Sequence, residues 1–436
     1  MSNPVSFIFS GLFVILAHGA MLMNIFFNGN YKNTGDLALL AAVVIGLDIL
    51  FYIIMLFWKQ NTYTVDFMLI LILNMSTIFQ ASFGGVHMDK DVIKHIITCI
   101  AAIAASRLGF WLVRDYRRIQ NRRAYIWAGI GFLMLVILVC CGRRSIWIDL
   151  GFITIQPSEF IKPLLVLACA TSINEQQHKH KFLSFNIVWE NVILFGVVAA
   201  VCLFQWWCRD LGSIPTFAAI YASGFLLRIC YPKTKFSKKT LIAAISAVVL
   251  ICGVGIYFAP DYVRARLFVD VWSDTNGDGY QQSQALIGIA NGGWFGKGPG
   301  FGFLHNVFAH ENDIVFATIS EEWGLLYALM MTVVLLFICS SPLIFPPRSY
   351  FHGTMCAGIC AAITVQMALN IFGSCNLIPF TGVTIPFISA GGSSMVTSGL
   401  MVGMLIAAQN PVFTKVKKKK KQGNSLLSPL KQRRSA

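Results

Sequence analysis

The residues able to do chemistry in this sequence lie at the ends of apolar runs. His310, Glu311, Asn312 and Asp313 lead straight into IVFATISEEWG, with Glu321 and Glu322 two helical turns further in. Acids at that depth must face protein or a wet cavity, because a charge exposed to lipid is costly. Glu159 and Lys162 enter a second apolar run at i, i+3 spacing, so they can pair on one helical face. A structural pair is at least as good a reading of them as a catalytic one. Asp210, in WWCRDLG, reads equally well as an interfacial turn and as an acid lining an outward cavity. Arg143, Arg144 and Trp147, in GRRSIWIDLG, suit a membrane interface, where guanidinium and indole groups meet lipid phosphates.

The largest polar stretch runs from Ala259 to Gly324, and chemistry is expected there. It contains two false leads. Asp274, Asn276, Asp278 and Gly279 are spaced as in a calcium loop, but position twelve is Ala285 where a bidentate Glu is needed. GGWFGKGPGFG, Gly292 to Gly302, lacks both the P-loop spacing and a preceding strand. Its backbone N–H groups, with Lys297, can still bind an anion.

The elements that must position these residues are membrane helices. The chain is 56% hydrophobic and 12% charged, half the roughly 25% charged residues of a soluble domain. A helix needs about 20 apolar residues to span a bilayer, and on that rule there are about twelve candidates. They cover 5–27, 36–57, 63–83, 92–112, 124–141, 158–173, 186–207, 212–229, 240–258, 313–339, 352–372 and 385–409. The fold class is therefore all-α and polytopic. Three basic clusters fall on one face under this count: Arg114 to Arg123, Lys233 to Lys239, and Lys415 with Lys417 to Lys421. The positive-inside rule makes that face cytoplasmic, with both termini inside and loops 142–157, 208–211, 259–312 and 373–384 outside. The net charge of +15 then reflects orientation and anionic lipid, and nucleic-acid binding is excluded. The cysteines sit mostly inside apolar runs with no CxxC pair, and read as small buried hydrophobes. The N-terminus reads as a first span, since it lacks a basic n-region and a clear cleavage site. The basic tail at 413–436 reads as disordered.

Four motifs in order resemble the SEDS family of polytopic membrane proteins, to which RodA, FtsW and SpoVE belong. They are WIDLGFITIQPSEFIK (Trp147 to Lys162), Asp210-Leu211-Gly212, GYQQSQALIGIANGGWFGKG (Gly279 to Gly298) followed by NDIVFATISEEWG (Asn312 to Gly324), and LIPFTGVTIPFISAGGSS (Leu377 to Ser394). The resemblance implies a ten-span core, here 61–412, with an extra N-terminal pair of spans at 1–60. It implies a multi-pass protein of the cell membrane that polymerises glycan strands from lipid II at the outer face, beside a class B penicillin-binding protein. Asp313 matches the family's key acid and would take the proton of the acceptor 4-hydroxyl in an inverting transfer. Asp210, Glu159, Lys162, Arg143, Arg144, Trp147, Gln284, Lys297, Glu321, Ser393 and Ser394 are the substrate-binding candidates, with Lys297, Arg143 and Arg144 facing the diphosphate leaving group. No cofactor is expected, and these residues do not dictate a divalent cation between Asp313 and the diphosphate. Departures from the motifs are Ile146 for Arg, Arg209 for Pro, Glu311-Asn312 for His-Thr, and Ala390 for Tyr. A lipid II transporter and a non-catalytic scaffold for a penicillin-binding protein stay open beside the enzyme.

Overall fold

The computed structural model describes residues 4–58, 60–140, 147–149, 154–172, 179–182, 185–230, 242, 269–273, 277, 279–347 and 349–410. The first four long helices are α1 (Pro4–Asn28), α2 (Thr34–Phe57), α3 (Thr64–Ser82) and α4 (Lys90–Val113). A short α5 (Tyr116–Asn121) leads into α6 (Arg123–Cys140). A two-residue hairpin, β1 (Ile148–Asp149) against β2 (Thr154–Ile155), precedes α7 (Pro157–Ser172). A second hairpin, β3 (Lys179–Phe182) and β4 (Phe185–Val188), precedes α8 (Trp189–Trp207) and α9 (Ile214–Cys230). Then come α10 (Tyr280–Gly292), α11 (Val315–Glu322), α12 (Leu325–Ile344), α13 (Tyr350–Ser374) and α14 (Gly392–Gln409). Helix starts follow capping chemistry. Asn33, Asp89 and Ser349 each accept a backbone N–H of the helix they open, and Pro157 takes the first helical position of α7, where its missing N–H costs nothing.

Among the described residues eight helices are long and apolar enough to cross a membrane, and α8 and α9 are shorter apolar helices. The fold is that of a polytopic helical membrane protein. Two expected spans need correction. The run at 313–339 is not one helix: α11 stops at Glu322, and α12 begins at Leu325 and continues to Ile344. Gly324 makes the break. Its φ of +92° is open to glycine, and a Cβ there would come within 2.4 Å of the Trp294 carbonyl. Hydropathy is blind to such a break because both sides are apolar. The run at 385–409 is helical only from Gly392; residues 385–391 form an irregular turn. The stretch at 259–312, expected as a loop, is also not all loop, since 280–292 is the helix α10. The span expected at 240–258 and the basic tail lie outside the described residues.

The centre of the bundle is α3, α4 and α14, flanked by α7, α9 and α13. α4 and α14 pack closest. A Cβ on Gly403 would lie 1.9 Å from the Ser106 carbonyl, and one on Gly399 would lie 2.4 Å from that of Ala102. Small residues spaced four apart on both helices let the backbones meet, which is how helices associate when lipid gives no hydrophobic drive. α1 and α2 pack on α3.

α1 and α2 are tied to α3 by polar groups at bilayer depth. Buried His18 on α1 binds Asp48 Oδ2 on α2 through Nδ1 at 2.7 Å and donates through Nε2 to the Leu71 carbonyl of α3 at 3.0 Å. Asn74 Nδ2 of α3 donates to Asp48 Oδ1 at 2.8 Å. Asp48→Ala would leave His18 and Asn74 without their shared acceptor. It is expected to cost about 1–3 kcal/mol, read as a lower midpoint of thermal unfolding in detergent. An unchanged midpoint would show that this network does not hold the pair.

Candidate active site

One end of the bundle holds a cavity of about 330 Å³, walled by the β1–β2 hairpin, the start of α7, the α8–α9 turn, the turn before α11, the upper part of α13 and the 382–392 segment. It gathers Trp147, Glu159, Lys162, Asp210 and Asp313 from positions up to 166 residues apart, counting from Trp147 to Asp313.

Asp313 sits in a tight turn, its N–H donating to the Ala309 carbonyl at 2.8 Å. Asn370 of α13 clamps this turn. Its Nδ2 donates to the carbonyls of Asn312, Asp313 and Val383 at 3.2, 2.9 and 2.8 Å. Ser389 Oγ donates to Asn312 O at 2.8 Å, and Gln80 of α3 donates to the carbonyls of Glu311 and Ile388 at 3.1 and 3.0 Å. The backbone of the turn is thus satisfied from three directions. The Asp313 carboxylate accepts no hydrogen bond among the described residues, and burial alone pushes its pKa up to about 7. Gly382 faces it so closely that a Cβ would lie 3.2 Å from Oδ2. The result is a partly buried carboxylate, unengaged by the described residues and open to the cavity.

Asp210 is held differently. Ser213 Oγ donates to Oδ2 at 2.5 Å, Ser213 N–H to Oδ1 at 3.3 Å, and Gln156 Nε2 to Oδ2 at 3.2 Å. Burial raises its pKa while the Ser213 bonds and Lys162 oppose the rise. It therefore closes the turn that leads into α9 and lines the cavity at once, so both sequence readings of it apply.

Glu159 and Lys162 do form the pair expected from their spacing, at 2.5 Å and nearly fully buried. Thr397 Oγ1 lies 3.4 Å from Glu159 Oε2 as a further donor. Removing one partner of a buried pair strands the other charge, so Lys162→Met is expected to destabilise by about 3–5 kcal/mol. Adding Glu159→Gln should recover most of that loss. Thermal unfolding of the two single variants and the double variant measures the coupling; additive losses would mean the pair is not coupled.

Other candidates lie elsewhere. Glu321 and Lys297 pair with each other at 3.0 Å around the glycine-rich segment, outside the cavity lining. Gln284 is half-buried on α10, also away from the cavity. Ser393 and Ser394 brace the wall: Ser393 Oγ accepts from Gln156 N–H at 3.2 Å, and Ser394 Oγ from Thr384 Oγ1 at 3.1 Å. Arg143 and Arg144, like Asp274, Asn276 and Asp278 of the calcium-like segment, lie outside the described residues. Among the described residues no three His, Cys, Asp or Glu side chains converge to hold a metal ion. The sequence reading missed Gln156, Ser213, Gln366 and Asn370. The last two carried a signal, two amides four residues apart in an apolar helix.

Residues 51–412 match the model of the FtsW/RodA/SpoVE family of cell cycle proteins. The chain belongs to this family. The match begins within α2, and it contains the whole cavity. Among FtsW/RodA/SpoVE relatives, the peptidoglycan glycosyltransferase RodA of Mycobacterium bovis is 28% identical over 365 residues, covering 77% of this chain and 74% of its own. A protein of Alcanivorax borkumensis named as a probable peptidoglycan glycosyltransferase FtsW is 33% identical over 291 residues, covering 63% and 72%. The fold is similar to that of a chain in a peptidoglycan synthase complex (TM-score 0.64, 19% identity, 81% of this chain and 98% of that one). It is also similar to Thermus thermophilus RodA (TM-score 0.53, 17% identity, 81% and 97%).

Proposed function

We propose that this chain is a peptidoglycan glycosyltransferase that polymerises lipid II. The observation that carries the reading is the Asp313 carboxylate, partly buried, unpartnered among the described residues, and facing a cavity that also holds Lys162. A carboxylate whose pKa lies near 7 is a competent base at neutral pH. Asp313 takes the proton from the acceptor 4-hydroxyl as that oxygen attacks the donor's anomeric carbon. The C1–O bond to the diphosphate breaks, and the undecaprenyl diphosphate leaves with the bonding pair. So good a leaving group needs no general acid, only positive charge or N–H donors for its developing charge. Among the described residues Lys162, paired with Glu159, is the cation in the cavity wall; Asp210, Gln156 and Trp147 complete the surface against which the sugars lie.

The basic loops support an orientation with both termini in the cytoplasm and the cavity outside, where lipid II is consumed. A class B penicillin-binding protein is the partner that would crosslink the product. The test is conversion of lipid II to glycan strands by the purified full-length protein, with and without the partner transpeptidase. Wild type should make strands and Asp313→Ala should make none while remaining in the membrane. Transbilayer movement of lipid II in liposomes without polymer would favour a transporter. Partner binding by a wild type that makes no polymer, surviving neutralisation of Asp210 and Asp313, would favour a scaffold.

A further inference from the structure

The wall that α13 gives to the cavity carries a carboxamide that no group among the described residues satisfies. Gln366 is 1% exposed and lines the cavity, yet neither Nε2 nor Oε1 has a hydrogen-bond partner among the described residues. Buried amides left unpaired at both ends are costly and rare, so one in a native wall calls for a cause. Asn370, one turn further along the same helix face, engages the carbonyls that shape the Asp313 turn. Of the two amides, one braces the Asp313 turn and the other, packed in the cavity wall, keeps both hydrogen-bonding ends unused among the described residues. Asn312, beside Asp313, likewise presents an unpaired Oδ1 in the cavity wall.

We propose that Gln366 is a specificity-determining residue that binds the 2-acetamido side of the donor sugar, the one carrying the diphosphate. The assignment rests on the glycosyl-transfer reading above. A carboxamide offers a donor and an acceptor side by side. A 2-acetamido sugar offers the complement on adjacent ring carbons, an N–H at C2 and an oxygen at C3. Oε1 accepts from the acetamido N–H and Nε2 donates to the C3 oxygen, which serves whether that oxygen is a hydroxyl or an ether. A trans acetamide points its own N–H and C=O in opposite directions, so the vicinal pair is the one that a single amide can grip. C2 adjoins the reacting carbon, which places this contact within the same cavity as Asp313. A wall built to hydrogen-bond a substrate group rejects an analogue lacking it, because the protein amide is then left unpaired.

The test separates binding from turnover by using the full-length Asp313→Asn protein in detergent. Its affinity for lipid II is compared with that for an analogue in which an ester oxygen replaces the donor sugar's acetamido nitrogen. Loss of the N–H should weaken binding about tenfold when Gln366 is present, and less than about twofold after Gln366→Met. Gln366→Glu keeps an acceptor for the N–H and should keep the discrimination. The unfolding midpoint of Gln366→Met should not fall, since no protein hydrogen bond is lost; a structural role would lower it. Equal discrimination by the Gln366 and Gln366→Met proteins would overturn the assignment. Full polymerisation by Asp313→Asn would instead remove the catalytic reading and leave the binding comparison standing.

Discussion

Asp313→Asn is expected to lower the rate of lipid II polymerisation by about 10²–10⁴-fold, the range attributable to a general base, with lipid II binding retained. The wild-type rate should rise with pH through about 7, where burial places the Asp313 titration, because the base acts only once ionised. The residual rate of the variant should not follow that curve. Stability moves the opposite way. The folded state holds the Asp313 proton up to about pH 7, whereas an unfolded aspartate releases it near pH 4. The contribution is therefore fully present below pH 4, falls as pH rises from about 4 to 7, and stays lost above that. At pH 8 the wild type carries a buried charge that Asn lacks. Asp313→Asn should be more stable there, by about 2–4 kcal/mol, and indistinguishable from wild type near pH 4. Thermal unfolding at the two pH values reads this directly. A variant less stable than wild type at pH 8 would mean that Asp313 serves the fold, and a pH-independent wild-type rate would remove it as the base.

Glu321→Ala should be the most disruptive single change around the glycine-rich segment. Its carboxylate accepts from Lys297 Nζ and from the N–H groups of Phe303 and Leu304, each at 3.0 Å. Its neighbour Glu322 accepts from Gly84 N–H at 2.9 Å and from Gly300 N–H at 2.8 Å, while the two residues' carbonyls accept from Lys297 N–H and Gly298 N–H. Asn30, between α1 and α2, adds a bond from its N–H to Pro299 O at 2.8 Å. The glycine-rich segment is thus wound around two acids at the end of α11. Removing Glu321 strands a partly buried ammonium and two backbone donors, a loss of about 3–5 kcal/mol. The expected readouts are a lower unfolding midpoint and faster proteolysis within 294–304. Lys297→Met removes only one of those bonds and should leave polymerisation within a few-fold of wild type. If Lys297→Met instead abolished polymerisation with an unchanged midpoint, its ammonium would belong to the substrate.

The departures from the SEDS-like motifs acquire a physical meaning in the fold. Arg209, which stands where the motif has Pro, has a φ of +62°. A proline ring holds φ near −65°, so the turn that delivers Asp210 takes a backbone path closed to proline. Ala390, where the motif has Tyr, lies in the cavity wall and leaves room beside Asn312 and Asp313. Glu311 and Asn312 act through their backbones, as acceptors for Gln80, Ala390, Asn370 and Ser389. Side-chain replacement there leaves the scaffold of the Asp313 turn intact.

The membrane character, most helix limits and the Glu159–Lys162 pair were legible in the sequence, which also singled out Asp313 and Asp210, two acids that the fold brings to the same cavity wall. These rest on short-range properties: apolar run length, the i, i+3 pairing of Glu159 with Lys162, and the cost of a lone acid in an apolar segment. The same logic turned Glu321 and Glu322 toward protein, as found, but ran one helix past them, since hydropathy carries no signal for a break at Gly324 that depends on the Trp294 carbonyl across the fold. It also could not choose between an interfacial and a cavity role for Asp210, because the cavity wall is completed by Gln156, a donor 54 residues away in the chain. Which acid is left free was decided only in three dimensions. Asp313, Glu159, Asp210 and Glu321 look alike along the chain. Glu159 and Asp210 find partners three residues on, in Lys162 and Ser213, but the bonds from Gln156 to Asp210 and from Lys297, Phe303 and Leu304 to Glu321, and the lack of any donor to Asp313 among the described residues, are set by packing between segments remote in sequence.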